Sequence, residues 1–241
     1  MKQLSFPSKP DNSHFTKRRL FLICLTASVM LTCYHFSRQT IPSWTSSSLP
    51  SQVVIDIGHG GADPGKIGLN NALEKDINLA IGLYLKEYLS SSGITVTLTR
   101  ETDISLADAN ASNQKLSDFQ NRAELIRNLA PSAVISIHQN SYPQEAVRGA
   151  QVFHRDSTES KQLAECIQHQ CRQILDPNNN RQIKKNTDYY LFRHISCPIV
   201  IVECGFLSNY EEANLLITED YQRKTAWAVY MGILQYLKTL E

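Results

Sequence analysis

The stretch Val53-Val54-Ile55-Asp56-Ile57-Gly58-His59-Gly60-Gly61 constrains the fold of this chain more than any other. Val53, Val54, Ile55 and Ile57 are apolar and β-branched, which suits a strand covered on both faces. Gly58, Gly60 and Gly61 then allow a sharp turn and a close approach of backbone to a ligand. The turn carries His59, at the carboxyl end of a strand, where open α/β sheets place their ligands.

Two further runs repeat the design. Val134-Ile135-Ser136-Ile137 ends on His138, and Ile199-Val200-Ile201-Val202 ends on Glu203. Between the runs, helical stripes alternate with strands. Glu74 to Ser90 carries apolar residues at Ile77, Ala80, Ile81, Tyr84 and Tyr88. Ile94 to Thr99 is β-branched, and Glu101 to Leu116 reads as a loop. Asp118 is placed to cap a helix reaching Ala130. Gly149 to His154 reads as a short strand, Thr158 to Leu175 as a helix, and Tyr189 to Phe192 as a short strand or turn. Asp220 to Leu237 reads as the closing helix. Strands alternating with helices predict a single-domain α/β fold, a mainly parallel twisted sheet with helices on both faces.

The N-terminus is of another kind. Lys2, Lys9, Lys17, Arg18 and Arg19 precede an apolar run from Leu20 to Phe36. A basic region before an apolar segment is an export signal. The reading is a basic n-region at 1–19, a membrane anchor or signal peptide at 20–36, a Ser/Thr/Pro-rich linker at 37–51 and a folded domain at 52–241. An uncleaved anchor puts the basic end in the cytoplasm and the domain outside it; a cleaved signal is the alternative. With 24 basic against 23 acidic residues, nothing in the charge points to nucleic acid. Cys166, Cys171, Cys197 and Cys204 follow no zinc-knuckle spacing. They read as small buried apolar residues, with a Cys197–Cys204 disulfide as the alternative in an exported protein.

In a parallel sheet the carboxyl ends of the strands share one edge, so His59, His138 and Glu203 can converge there. Glu74, at the start of a helix after the glycine loop, can lean over the same edge. Two imidazoles and a carboxylate suit zinc. A second carboxylate beside them can act as proton acceptor, the arrangement of a metal-assisted hydrolase.

Several blocks of the chain share a pattern with a known family. They are Asp56-Ile-Gly-His-Gly-Gly-Ala-Asp-Pro-Gly with Gly68, Leu73-Glu74-Lys75-Asp76 with Asn78, and Ser136-Ile-His-Gln-Asn-Ser141. Glu203-Cys-Gly-Phe-Leu-Ser-Asn209 follows, with weaker blocks at Thr99 to Asp103 and Arg122 to Asn128. In order and spacing, the region from about Gln52 to Leu237 resembles the zinc-dependent N-acetylmuramoyl-L-alanine amidases of the amidase-3 family. The resemblance implies a sheet of about six strands. It implies zinc held by His59, Glu74 and His138, with Glu203 as the catalytic carboxylate. It also implies peptidoglycan as substrate, cut at the amide between N-acetylmuramic acid and L-alanine. Within the family the likeness is greatest to the subgroup that acts in spore germination, where the cut in the cortex prepares muramic-δ-lactam.

Asn140 and Ser141 are candidates for orienting substrate, and Arg148 for pairing with a peptide carboxylate, although a solvated surface role suits Arg148 better. Tyr142 to Arg148 is too short for the inhibitory helix of division-associated relatives, so control would come from elsewhere, with an activating protein partner as a candidate. Two other functions fit the residues: a zinc peptidase cutting within the stem peptide, and a non-catalytic peptidoglycan-binding or regulatory module.

Overall fold

A computed structural model describes residues 52–240 together with Thr26, Ser28, Met30 and Leu31, which are helical. The readings for 1–19, 20–36 and 37–51 therefore lie, apart from those four residues, outside the described residues. No helix among the described residues is long and apolar enough to cross a membrane.

The catalytic region is an alternation of strands and helices: β1 (Gln52–Ile57), α1 (Glu74–Ser91), β2 (Thr95–Leu98), α2 (Gln114–Leu129), β3 (Ala133–Asn140), β4 (Gln151–His154), α3 (Thr158–Ile174), β5 (Lys184–Lys185), α4 (Tyr190–His194), β6 (Ile199–Phe206), α5 (Tyr210–Leu216) and α6 (Glu219–Leu237). The strands form one six-stranded sheet in the order β2-β1-β3-β6-β4-β5. The β1–β2, β1–β3 and β3–β6 pairs are parallel, and β4 runs antiparallel to β6. The chain leaves β1 toward β2 on one side and returns to β3 on the other. The gap between β1 and β3 is thus the topological switch point, where such sheets hold ligands.

The two faces of the sheet are covered unequally. Odd-numbered residues of β1 and β3 (Val53, Ile55, Ile57, Ala133, Ile135, Ile137) and even-numbered ones of β6 (Val200, Val202, Cys204) enter the larger core, under α1, α3 and α6. Full burial of each Val or Ile there contributes about 1.5–3 kcal/mol. The opposite residues, Val54, Val134, Ile199 and Ile201, join a smaller cluster with Ala123, Ile126, Leu191 and Phe192 from α2 and α4. Period-two alternation puts Asp56, Ser136, His138 and Glu203 on that second face. Its apolar cover stops short of the strands' carboxyl ends, and that gap becomes a cleft.

Local sequence readings differ from the structure at one helix cap and three short elements. Asn113, not Asp118, caps α2 by accepting from Leu116 N, so the helix starts at Gln114. Asp118 lies within the helix, and its carboxylate holds Arg122, Ser105 and Leu106. Tyr190–His194 is a short helix, where Tyr189 to Phe192 read as a short strand or turn. The helix α5, capped by Asn209, and the two-residue strand β5 were not anticipated. Among the described residues, Cys166, Cys171, Cys197 and Cys204 are free and three of them are buried, as the reading of small apolar residues expects. Cys204 enters the larger core and Cys197 packs against the smaller cluster, so the sheet separates the two and excludes that disulfide.

Candidate active site

His59 sits in the left-handed region at φ 63°, an uncommon place for a residue with a side chain. The turn around it is held by two guanidinium groups. Arg122 donates to Ile57 O at 2.6 Å and to His59 O at 2.9 Å. Arg100 donates to Ile57 O and Gly58 O, each at 3.2 Å, and to Lys75 O at 2.7 Å. The carbonyls of this tight turn, which could not all meet other backbone donors, are thereby satisfied. Arg122 is itself fixed by Asp56 at 2.8 Å and Asp118 at 2.6 Å, and Ser136 Oγ donates to Asp56 at 2.6 Å. Burial opposes the charge on Asp56, but Arg122 and Ser136 outweigh it and hold this carboxyl below its ordinary value.

Glu74 begins α1 and is 2 % exposed. One carboxylate oxygen, Oε2, accepts from Lys66 N at 2.8 Å. The other, Oε1, accepts from Gln139 N at 3.0 Å and Asn78 Nδ2 at 3.4 Å. His59 Nε2 lies 3.2 Å from Oε2 and His138 Nδ1 lies 3.0 Å from Oε1. The other ring nitrogen of His59, Nδ1, meets Asp63 at 2.9 Å, which orients the imidazole and directs Nε2 inward. Burial pushes Glu74 up, yet the hydrogen bonds from His138 and His59 prevail and hold it well below the carboxylate range. For His138, burial depresses the imidazole and Glu74 raises it by more.

The ligand atoms of His59, Glu74 and His138 lie within 4.8 Å of one another. Two glycines make that approach possible. A Cβ at Gly58 would stand 2.3 Å from the His138 ring, and one at Gly65 would stand 2.5 Å from Glu74 Oε2. Neutral imidazole lone pairs facing a carboxylate repel unless a proton or cation lies between them. This donor set, closed on itself and braced by a second layer, fits a divalent ion such as zinc.

Glu203 is the register partner of His138 on the neighbouring strand. Its Oε2 is buried and has no hydrogen-bond partner among the described residues. Burial pushes its carboxyl up to about 7, with His138 opposing. A bulge in the β3–β6 pairing between His138 and Asn140 re-aims the strand end at this point.

These groups line a cleft of about 700 Å³. His59, Glu74, His138, Glu203, Asn140 and Ser141 all face it, as do Asp63, Lys66, Lys115, Phe119, Tyr189 and Tyr190. Arg148 stands apart. It pairs with Glu211 at 2.7 Å on the surface and borders a separate recess with Asn178 and Arg181. The turn at Gly149, φ 97° and tied to Glu212 Oε1 through its N–H, leads the chain away from the cleft. Sequence reasoning missed the arginine brace and the aromatic wall. Asp56 and Ser136 signalled the brace, as polar residues set at period two inside apolar strands.

An open α/β sheet with a two-histidine, one-carboxylate cluster and a raised, unpartnered carboxyl at its carboxyl edge defines an enzyme of the amidohydrolase type. The comparisons narrow this class. Residues 53–235 match the Amidase_3 family, described as N-acetylmuramoyl-L-alanine amidase, and the chain belongs to that family. It is 36% identical over 223 residues to the germination-specific N-acetylmuramoyl-L-alanine amidase of Bacillus subtilis, covering 90% of this chain and 92% of that one. Its fold is similar to that of the CwlD amidase from Clostridioides difficile, solved in complex with the GerS lipoprotein. The TM-score is 0.76 at 42% identity, over 78% of this chain and 99% of that chain. It is also similar to the amidase AmiC2 of Nostoc punctiforme, with a TM-score of 0.68 at 33% identity, over 79% of this chain and 99% of that chain. The chain is thus a peptidoglycan amidase that hydrolyses the bond between N-acetylmuramic acid and L-alanine, which answers the peptidase and non-catalytic alternatives.

Proposed function

We propose that this amidase is zinc-dependent and acts on spore-cortex peptidoglycan, releasing stem peptides from muramic acid as the step that prepares muramic-δ-lactam for germination. The observation that carries the metal reading is the convergence of His59, Glu74 and His138 within 4.8 Å beside an unpartnered Glu203. The three would hold the ion through His59 Nε2, His138 Nδ1 and the Glu74 carboxylate. Zinc held there would supply Lewis acidity toward the scissile carbonyl and toward water.

The chain's own residues supply the rest. Glu203 is the general base and then the general acid. Its Oε2 takes a proton from the attacking water and returns it to the nitrogen of the leaving L-alanine, so one carboxyl serves both half-steps. Burial favours the protonated form of that carboxyl, which helps it take up the proton it later returns. Asn140 and Ser141, at the end of β3, orient the substrate across the cleft. Asp63 keeps His59 in one tautomer and orientation.

The cortex reading is supported by the likeness to the germination-specific amidase, which spans nearly the whole of both chains. The basic-then-apolar N-terminus supports export, with an anchor or signal at 20–36, a linker at 37–51 and the catalytic domain at 52–241. That arrangement places the domain outside the cytoplasm, held at the membrane or secreted. The GerS complex of the Clostridioides difficile relative supports a protein partner for this chain as well. Digestion of purified cortex and vegetative peptidoglycan, with mass spectrometry of the fragments, tests the reading. Intact peptides with a free L-alanine amine should be released from cortex. Release from vegetative wall alone would make this a general wall-remodelling amidase.

A further inference from the structure

The walls of the catalytic cleft differ in chemistry. On one side α2 and α4 present Phe119, Tyr189, Tyr190 and Leu191, with Ile201 on the floor. The rings brace one another. Phe119 and Tyr190 stack with centroids 5.4 Å apart and planes 18° apart, and Tyr190 stacks on His194 at 4.0 Å. Tyr189 meets Phe153 and Phe192 edge-on at 5.8 and 5.4 Å. The wall is therefore set in place by core contacts before any ligand arrives. Tyr189, whose hydroxyl is pushed up to about 12 by burial and then by Glu203, stays a neutral O–H donor at any working pH.

The loop after β1 is basic: Lys66 faces the cleft there and is exposed, and Lys115, one turn before Phe119 on α2, is exposed at the end of the aromatic wall. The aspartates and Glu74 along the cleft already have partners: Asp56 and Asp118 on Arg122, Asp63 and Glu74 on His59. Lys115 already acts on Asp63, whose carboxyl it helps to lower, and Lys66 is left to meet negative charge from outside.

The scissile amide joins two unlike groups. One is a neutral amino-sugar ring, with C–H faces and hydroxyls. The other is a peptide bearing carboxylates. Peptide carboxylates laid along the aromatic wall at Tyr189 would sit beside Glu203 and be repelled, whereas beside Lys66, on the loop after β1, they are attracted. The neutral ring suits an aromatic surface with a hydroxyl donor, the usual mix of apolar lining and few polar groups in a carbohydrate-sized site. We infer that Phe119, Tyr189 and Tyr190 form the subsite for the pyranose ring of the muramyl sugar, so that the glycan leaves the cleft between α2 and α4. The inference rests on the amidase reading. It adds the direction in which the substrate lies and names Tyr190 as a determinant of sugar recognition.

The test compares two substrates with the full-length, zinc-loaded protein. One is a GlcNAc–MurNAc tetrapeptide. The other is the D-lactyl tetrapeptide, which keeps the scissile amide but has no sugar ring. The wild type should favour the first in kcat/KM, mainly through KM. In Tyr190→Ala and Phe119→Ala that preference should fall about tenfold, the loss expected for one aromatic contact. A generic defect in folding or chemistry lowers both rates and leaves their ratio unchanged, and an unchanged ratio in both variants overturns the subsite. So does a wild type that shows no preference for the sugar-bearing substrate. If the wild type cuts neither substrate, the amidase reading has failed, and the subsite is then judged by NMR titration with GlcNAc–MurNAc alone. Shifts in the ring protons of Tyr189 and Tyr190 support it, and their absence removes it.

Discussion

Replacing Arg122 by methionine should be among the most damaging changes outside the proposed metal ligands. The guanidinium makes five hydrogen bonds, to Asp118, Asp56, Ile57 O, Thr99 Oγ1 and His59 O. Arg122 and Asp56 are each 2 % exposed in their side chains. Methionine fills much of the volume and supplies none of the charge, so Asp56 is left buried with only Ser136 as a partner. Breaking a buried pair from one side costs about 3–5 kcal/mol. Against a total stability of about 5–15 kcal/mol, that is a large share. The same change frees the carbonyl of His59, whose left-handed backbone then has less to hold it.

The pH dependence makes the reasoning specific. In the wild type the folded-state pKa of Asp56 is lowered. Its contribution is present above the unfolded value, about 3.9, and is lost as pH falls through the lower folded value. In the variant, burial without Arg122 raises the folded pKa above the unfolded one. The variant then loses stability as pH rises through that range and regains it in acid. The gap between wild type and variant, measured by urea unfolding of the metal-free proteins, should therefore be widest near pH 8 and narrower near pH 5. Adding Asp56→Asn to Arg122→Met should recover part of the loss. A deficit under about 1 kcal/mol, or one equal at both pH values, would refute the argument.

Three further outcomes are expected. His59→Ala, Glu74→Ala and His138→Ala should each lose bound zinc on dialysis, read by metal analysis, because each removes one of three ligands; retention in all three would sink the ligand set. Glu203→Gln should keep zinc and its unfolding midpoint while turnover falls by about 10²–10⁴-fold, the range for a general acid–base group, and near-normal turnover would assign the proton to another residue. Gly58→Ala should abolish metal binding with little change in secondary structure by circular dichroism, since its Cβ would stand 2.3 Å from the His138 ring; wild-type zinc affinity would show that the ring can move aside at no cost.

Much of the fold was legible because the signals are local. The three β-branched runs became β1, β3 and β6, and the helical stripes became α1, α3 and α6, with shifts of a residue or so at their ends. The boundaries that failed depended on choices between competing side chains. Asn113 and Asp118 can each cap a helix, and only Arg122, arriving from the next turn of α2 to claim Asp118, decided between them. The helix at Tyr190–His194 has five residues, too few for periodicity to declare, and it is held by the Tyr190 ring stacked on Phe119 and the Phe192 ring edge-on to Tyr189.

The sequence by itself determined that His59, His138 and Glu203 stand at the carboxyl ends of buried strands, because a β-branched run must be a covered strand and a polar residue after it must lie at its end. It also determined, through period-two alternation, that Ser136 and His138 share one face of their strand, whereas the strand pairing is what brings Asp56 and Glu203 to that same face. What only the tertiary structure decided is which groups meet across long stretches of chain. Arg100 and Arg122 close on the turn at His59, Asp63 turns its imidazole, and Arg148 is drawn off to Glu211. Each of those contacts depends on how loops from different strands pack over one edge. Such packing is set by shape, and by the need to satisfy every buried polar group at once, which no local pattern encodes.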